Sequence, residues 1–263
     1  MFKRAFHRKL YEYVVEEIGL RIIRGQYRPG DTLPNEDALC LELEVSRGVL
    51  REATKVLAQK GMIRSRPKIG TQVRPRKEWN LFDADVLIWK FKTGDKADFL
   101  KTVTEVRAII ESQAARMAAE NAGPQEIESM YALYGEMADC LTDGTSYDDE
   151  AYIQLDFRFH AALLEASHNE LLAQIGYTLR RALITARQID VQDHDIALSS
   201  LPMHLQMVDA IAARDPDAAY RATQAMFDQV RHHIPDFLDG STTGEEITET
   251  IAPSNEQARG PQA

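Results

Sequence analysis

Cysteine is scarce in this chain of 263 residues, and long apolar runs are missing. The only two cysteines, Cys40 and Cys140, stand 100 positions apart, which favours free thiols in a reducing compartment. No segment approaches the roughly 20 apolar residues that a membrane helix needs. The basic N-terminal segment is followed by Glu12, Glu16 and Glu17, which are wrong for the apolar core of a signal peptide. These absences predict a cytoplasmic protein that folds without disulfides.

The sequence also lacks the common signatures of enzymes. It contains no glycine-rich phosphate loop, no nucleophile elbow and no His-Glu-x-x-His motif, and its cysteines do not have metal-ligand spacing. Glycine and proline, with 14 and 10 residues, are too few for a low-complexity or fibrous chain. The length suits two globular domains better than one, since a domain takes roughly 100–200 residues.

Charge is divided unevenly along the chain. Residues 1–77 contain 17 lysines and arginines against 9 aspartates and glutamates, a balance of +8. Residues 78–263 contain 14 against 32, a balance of −18, so the overall charge of −10 conceals a basic first third. A basic domain beside an acidic one predicts that residues 1–77 meet a polyanion, such as DNA, and that the remainder does not.

The basic segment has the order of elements of a winged helix-turn-helix domain. Apolar residues recur every fourth position over 8–24 and predict an amphipathic helix. A short helix is predicted after Asn35 and a third helix after Ser46, because both side chains are good N-caps. Two β-like runs, 62–66 and 71–74, flank a turn and predict a hairpin. In such a domain the third helix enters the major groove of DNA.

Cationic side chains of the third helix and the hairpin are the candidate DNA contacts. Arg47 and Arg51 are four residues apart and share one helix face, where each guanidinium can pair with a guanine edge or a phosphate. The alternative is that these charges only solvate the surface, but charge, helix order and hairpin agree on DNA. The residues predicted to contact DNA are Ser46, Arg47, Arg51, Lys55, Arg66, Lys68 and Gly70, with Arg64 and Arg74 as further cations of the hairpin.

The rest of the chain is predicted to form a linker, a helical domain and a tail. Residues 78–98 contain Trp79 and Trp89, which we expect to anchor a short helix against the second domain. Residues 99–239 show no strand pattern and predict an all-α bundle, and the polar residues 240–263 predict a disordered tail. The helices predicted after the linker span 98–121, 124–141, 147–167, 170–190, 199–213 and 216–238.

Several polar residues fall at inward positions of the predicted bundle. Asp156 and His160 are four residues apart on one helix face, and His204 lies on the apolar stripe of a later helix. A buried carboxylate and two buried imidazoles need either each other or a metal, so both interpretations remain open. Arg107 also stands among apolar residues and needs an anion, either a carboxylate of the chain or that of a ligand. From the residues alone, the internal partner is favoured.

Six motifs, three in each domain, resemble one family. They are Gly25-x-Tyr27-x-Pro29-Gly30-Asp31-x-Leu33-Pro34-Asn35-Glu36, Ser46-Arg47-x-x-Leu50-Arg51-Glu52-Ala53, Gly70-Thr71-x-Val73, Asp156-x-x-Phe159-His160, His204-x-x-x-x-Asp209-Ala210-Ile211 and Asp215-x-x-x-Ala219. On these motifs the chain resembles GntR-family transcription regulators of the FadR subfamily, over about residues 8–76 and 83–238. The resemblance implies DNA contacts at Arg47, Arg51 and the wing, and an all-α FCD domain after the winged helix-turn-helix.

The resemblance also implies a site for a divalent metal such as Zn²⁺, Mn²⁺ or Ni²⁺, held in the family by one aspartate and three histidines. The fourth matching position is Met226, whose thioether is a poor ligand for such ions. Three outcomes follow: the effector completes the coordination shell of the metal, the metal binds weakly, or no metal binds. Asp156, His160 and His204 match the other three metal-ligand positions of the family.

The DNA-binding domain departs from the family pattern at two positions. Asp37 stands where the family often has an arginine, and Lys68 stands where it usually has a glycine.

The linker motif Trp79-Asn80-x-x-Asp83-x-Asp85-Val86-Leu87-x-Trp89 resembles that of repressors of galactonate catabolism, as does the methionine at 226. A sugar acid brings a carboxylate for Arg107 and an α-hydroxyl that can chelate a metal. The resemblance implies a homodimeric repressor that binds a pseudo-palindromic operator and is released by such an effector. The alternatives are a similar regulator that senses a hexuronate, lactate or an acyl ligand, a metal-dependent enzyme, and an architectural DNA-binding protein.

Overall fold

The structure, a computed structural model, describes residues 2–94, 96–142, 149–190 and 194–240. The predicted fold class, mainly α with a winged helix-turn-helix before a helical bundle, is confirmed. None of the helices in these ranges combines the length and apolar character needed to span a bilayer. The disordered tail was predicted for residues 240–263, and residues 241–263 lie outside the described residues. The elements are α1 (Phe2–Ile23), α2 (Glu36–Glu42), α3 (Arg47–Gln59), β1 (Ile63–Arg66), β2 (Gly70–Val73), α4 (Ala84–Thr93), α5 (Lys96–Asn121), α6 (Pro124–Thr142), α7 (Asp149–Ala166), α8 (Glu170–Asp190), α9 (His194–Ala212) and α10 (Pro216–Gly240), with a 3₁₀ turn at Arg76–Glu78.

The two helices of the helix-turn-helix begin at side-chain caps. Asn35 Oδ1 accepts a hydrogen bond of 2.9 Å from the Ala38 N–H at the start of α2. Ser46 Oγ accepts one of 3.4 Å from the Val49 N–H at the start of α3. Between the helices, Glu44 takes a left-handed conformation with φ of 53°. The apolar side of α3 is buried in the domain core beside α1, so its charged side faces outward.

The wing is an antiparallel hairpin with a buried base and an exposed tip. Ile63 pairs with Val73, and both are buried, whereas residues 64–70 are exposed. At the tip Lys68 has φ of 65°. This left-handed conformation costs a non-glycine residue about 1–2 kcal/mol. Lysine at this position therefore carries backbone strain that a glycine would not.

The linker helix α4 packs against both domains. Trp79 and Trp89, which we expected to pack against the helical domain, lie instead in the core of the winged helix-turn-helix domain, 7% and 3% exposed. Gly19 of α1 permits this contact, because a Cβ there would lie 2.4 Å from the Trp89 ring. Leu87 and Phe91 pack with residues of the bundle. The expectation was wrong because α4 has apolar side chains on two faces: Val86 and Trp89 join the core that contains α1 and Trp79, whereas Leu87 and Phe91 join the bundle.

A buried lysine connects the end of α3 to the linker. Lys60 Nζ lies 2.6 Å from Asp83 Oδ1 and 2.7 Å from Asp85 Oδ2. Only 8% of the Lys60 side chain is exposed, so these ion pairs are less screened by solvent than a surface pair. Asp83 Oδ1 also accepts hydrogen bonds from the first backbone N–H groups of α4. The end of α3 and the start of α4 are thus held together by charge as well as by packing.

In the second domain, α5 packs against α7, α8, α9 and α10 around a largely apolar core. The helix predicted at 199–213 begins at His194 and continues through Pro202. Charged and imidazole side chains are nevertheless buried among these helices rather than facing solvent. They are Arg107 and Glu111 on α5, Asp156 and His160 on α7, Arg180 on α8, and His204 on α9.

Candidate effector site and DNA-binding surface

The predicted recognition residues lie on the exposed face of α3. Arg47, Arg51 and Lys55 have 65%, 67% and 69% of their side-chain area exposed. Arg47 Nη2 lies 2.7 Å from Asp37 Oδ1, and Arg51 Nε lies 3.0 Å from Glu36 Oε1. Exposed ion pairs contribute about 0–1 kcal/mol, so a phosphate or a base edge can replace these carboxylates readily. In the absence of DNA, the carboxylates of α2 hold both guanidinium groups in a defined orientation.

The wing adds a second basic surface. Arg64, Arg66 and Lys68 are exposed, and none of them has an ion-pair partner among the described residues. Arg74 is half-buried at the base of the hairpin, where its Nε donates to Glu78 Oε2 at 2.7 Å, so its guanidinium already has an anionic partner. The seven residues predicted to contact DNA are all exposed, namely Ser46, Arg47, Arg51, Lys55, Arg66, Lys68 and Gly70.

The three predicted metal ligands converge inside the bundle. His204 Nε2 lies 3.3 Å from Asp156 Oδ1, and His160 Nε2 lies 3.6 Å from the same oxygen. The two Nε2 atoms are 3.4 Å apart. The residues are 5%, 2% and 1% exposed in the order Asp156, His160 and His204. Each thus directs one potential ligand atom to a common point, which the helical spacing alone did not establish.

The outer nitrogens of both imidazoles face acceptors. His204 Nδ1 lies 3.0 Å from the Ser200 carbonyl oxygen, and His160 Nδ1 lies 2.6 Å from Glu111 Oε2. A carbonyl and a carboxylate at these distances favour the tautomer with the proton on Nδ1, in which Nε2 presents a lone pair, although the contact between His160 and Glu111 does not have hydrogen-bond geometry. Two lone pairs and a carboxylate oxygen therefore point at one another, an arrangement that a cation would stabilise. Orientation of the far ring nitrogen by a protein acceptor is typical of histidines that bind metals.

Glu111, which the sequence reasoning missed, links this cluster to Arg107. Arg107 Nε donates to Glu111 Oε1 at 2.7 Å, and its guanidinium lies over the Phe227 ring, 4.9 Å from the centroid. The internal partner favoured for Arg107 is thereby confirmed. Burial favours the neutral acid, but Arg107 and His160 outweigh it and hold the pKa of Glu111 well below its usual range. Burial disfavours the charged form of Arg107 as well, yet Glu111 raises the pKa of Arg107 overall.

Arg180 is a second buried cation that the sequence reasoning missed. It is 4% exposed, and its Nη1 donates to the Phe157 carbonyl at 2.7 Å. Its Nε and Nη2 have no hydrogen-bond partner among the described residues. Burial lowers the pKa of Arg180 to about 10, against the opposing attraction of Glu111 and Asp156, so the side chain stays charged at neutral pH. A buried guanidinium with two unused donors is suited to an anionic acceptor.

Met226 occupies the position of the fourth histidine in the family pattern. It is 2% exposed, within the main hydrophobic cluster of the bundle and next to Phe227. A neutral thioether prefers soft ions and does not replace an imidazole for Zn²⁺, Mn²⁺ or Ni²⁺. The described residues thus offer three ligand atoms of suitable chemistry, and three protein ligands leave a coordination position for another molecule.

Known proteins resemble both domains. Residues 10–73 match the family described as bacterial regulatory proteins, gntR family, and residues 102–229 match the FCD domain. The galactonate operon transcriptional repressor of Escherichia coli (strain K12) is 32% identical over 216 residues, which cover 81% of this chain and 91% of that protein. The HTH-type transcriptional repressor NanR of Citrobacter rodentium (strain ICC168) is 32% identical over 234 residues, which cover 85% of this chain and 84% of NanR.

A solved structure shares the fold. It is that of Lar, which controls the expression of the Listeria monocytogenes agr system, and it aligns with a TM-score of 0.57 and 19% identity over 88% of this chain and 96% of Lar. At that identity the likeness concerns the fold alone. The family matches and the identity to whole repressors identify the class of protein, which is a regulator and not an enzyme. The chain belongs to the GntR family of bacterial transcription regulators, in the FadR subfamily that carries an FCD domain.

Proposed function

We propose that the protein is a homodimeric repressor of a sugar-acid catabolic operon, and that a sugar acid such as galactonate releases it from DNA. This proposal rests on the burial of Arg180, whose Nε and Nη2 have no hydrogen-bond partner among the described residues. The same helical bundle holds the cluster of Asp156, His160 and His204. A ligand that both chelates a metal and carries a negative charge suits the two features together. The galactonate operon repressor among the relatives and the tryptophan-rich linker motif support the same class of effector.

A divalent metal completes the site in this proposal. Asp156, His160 and His204 would hold it through one oxygen and two Nε2 atoms, with Glu111 and Ser200 orienting the rings. A bound metal would supply positive charge and open coordination positions for an α-hydroxy carboxylate. Zn²⁺, Mn²⁺ and Ni²⁺ all suit a set of nitrogen and oxygen ligands, and Met226 adds no fourth ligand for them.

The carboxylate of the effector would pair with Arg180. Arg107 remains a predicted effector-binding residue, but Glu111 already engages its Nε and Nη2. Arg180 keeps two donors for a bidentate contact of the kind that guanidinium groups make with carboxylates. Arg107 then acts mainly by fixing Glu111, and through it the ring of His160.

The DNA-binding half of the proposal uses α3 in the major groove and the wing beside it. Arg47 and Arg51 would read base edges or phosphates, with Ser46, Lys55, Arg66, Lys68 and Gly70 along the backbone. Two heads of a dimer would engage a pseudo-palindromic operator, and effector binding would favour a head spacing that no longer fits both half-sites. A regulator that acts on bacterial DNA works in the cytoplasm, as the sequence predicts.

Calorimetric titration of the full chain with galactonate tests the effector site. We expect binding that weakens when the metal is removed with a chelator and returns when Zn²⁺, Mn²⁺ or Ni²⁺ is added. Arg180→Met should weaken galactonate binding about 10- to 150-fold, the loss of roughly 1.5–3 kcal/mol for a charged hydrogen bond. The same variant should keep or gain stability, because it removes a buried charge with two unused donors.

The matched control is Arg158→Met on α7, which removes an exposed arginine paired with Glu136 and should leave galactonate binding unchanged. Galactonate binding that survives Arg180→Met would show that the carboxylate is bound elsewhere. If galactonate does not bind, thermal stability in a panel of hexuronates, lactate and acyl ligands would identify another acid, since a ligand of the native state raises the melting temperature.

A further inference from the structure

A cavity lies where the DNA-binding domain, the linker and the bundle meet. Its volume is about 400 Å³, within the range of roughly 300–1,000 Å³ for small-molecule sites. Phe82 and Leu87 of the linker, Phe99 and Val103 of α5, and Leu179 of α8 give it an apolar lining. The buried polar residues of the candidate effector site do not line this cavity.

Two cations face this apolar space. Arg76 follows the wing and Lys90 lies on α4, and neither has an ion-pair partner among the described residues. Arg76 lies over the Trp79 ring, 6.0 Å from its centroid. Asp98, the acid in the lining, attracts Lys90 at longer range, but burial and then repulsion from Arg76 lower the pKa of Lys90. Two like charges next to an apolar surface are stabilised by an anion that carries an apolar group.

The neighbouring surface favours the same class of ligand. Leu81 and Phe82, at 40% and 55% exposure, are among the large apolar side chains that remain exposed, and both line this cavity. A sugar acid, polar along its whole length, would leave these side chains without apolar contacts. A carboxylate with an alkyl or aryl tail would bury them and bring its charge to the two cations.

We propose that this cavity is a second ligand site, for an amphipathic carboxylate whose head pairs with Arg76 and Lys90 and whose tail packs against Phe82, Leu87 and Phe99. The walls come from α1, the linker, α5 and α8. A bound ligand therefore contacts the DNA-binding domain and the bundle at once. The site is separate from the effector site, and its existence does not depend on the identity of that effector.

Intrinsic fluorescence tests this site, because Trp79 and Trp89 are the only tryptophans of the chain and both lie in the linker, next to the cavity residues Arg76 and Lys90. Titration of the full chain with octanoate should give a saturable change in emission. Arg76→Gln and Lys90→Gln should each weaken octanoate binding about tenfold or more, as expected for loss of a charged hydrogen bond. Octanol, which has the tail without the carboxylate, should bind at least tenfold more weakly than octanoate.

Two control variants distinguish binding in this cavity from a general effect of surface charge and from binding at the effector site. Lys77→Gln removes an exposed charge next to Arg76 that does not line the cavity, and it should leave octanoate binding unchanged. Arg180→Met, in the effector site, should also leave it unchanged. Absence of a saturable change, equal binding of octanol, insensitivity to Arg76→Gln and Lys90→Gln, or loss of binding in Arg180→Met would each overturn the proposal. Circular dichroism of each variant verifies that the helices are retained.

Discussion

Replacing Glu111 by glutamine should destabilise the helical domain severely while changing its volume little. The carboxylate is 0% exposed and lies within 2.7 Å of Arg107 Nε and 2.6 Å of His160 Nδ1. Glu111→Gln keeps the shape of the side chain but removes its charge. The Arg107 guanidinium then stays in the interior without an anionic partner.

The magnitude follows from the burial of this pair. Removing one partner of a buried ion pair costs about 3–5 kcal/mol, because the other charge is left uncompensated. An exposed pair contributes only about 0–1 kcal/mol. Arg158 and Glu136 form such a pair, with 60% and 51% of their side chains exposed. The same substitution at the two glutamates should therefore differ by about 2–5 kcal/mol in the free energy of unfolding.

Urea unfolding followed by far-ultraviolet circular dichroism measures this difference, since the signal reports the helices of both domains. Glu111→Gln should lower the unfolding free energy by about 3–5 kcal/mol, and Glu136→Gln by less than about 1 kcal/mol. Adding Arg107→Met to Glu111→Gln should recover part of the loss, because the Arg107 charge that lost its partner is then removed as well. Equal effects of the two single substitutions, or no recovery in the double variant, would refute the assignment of Glu111 as the buried partner of Arg107.

Three other predictions concern the backbone and the DNA-binding surface. Lys68→Gly should be about 1 kcal/mol more stable than Lys68→Ala in urea unfolding, since both remove the charge but only glycine relieves the left-handed strain at φ of 65°. Gly19→Ala should lower the unfolding free energy by about 1–3 kcal/mol because its Cβ would lie 2.4 Å from an indole ring, whereas Gly135→Ala, with open space around it, should raise the free energy by about 0.5–1 kcal/mol. Arg47→Ala and Arg51→Ala should each lose specific operator binding in footprinting while circular dichroism stays unchanged, and a wild-type footprint from either would remove that residue from the recognition surface.

The DNA-binding domain could be predicted from the sequence because its signals are local. The caps Asn35 and Ser46 set the starts of α2 and α3, and the four-residue spacing of Arg47 and Arg51 puts them on one face. The hairpin follows from a turn between two short runs. The strain at Lys68 does not follow from the lysine itself, and only the glycine usual at this position in the family indicates a left-handed backbone.

The candidate site could be predicted only in part, because it depends on which helices touch. The spacing of Asp156 and His160 indicated a shared face, and the apolar stripe around His204 indicated that its imidazole is buried too. The family resemblance then joined the three residues as a metal site. Glu111 and Arg180 lie on α5 and α8, and their place beside this cluster follows from helix packing that no local pattern encodes. For the same reason the tryptophans of the linker were assigned to the wrong domain.

Fluorescence anisotropy of labelled DNA from upstream of the gene, titrated with the protein at fixed salt with and without galactonate, tests the central claim most directly. Fixed salt matters because phosphate contacts make the affinity of any DNA-binding protein salt-dependent. We predict that the wild-type protein binds this DNA specifically and that galactonate releases it. The Arg180→Met variant should stay bound to the DNA in the presence of galactonate. Specific binding that galactonate leaves unchanged in the wild type would contradict the assignment of a sugar-acid effector.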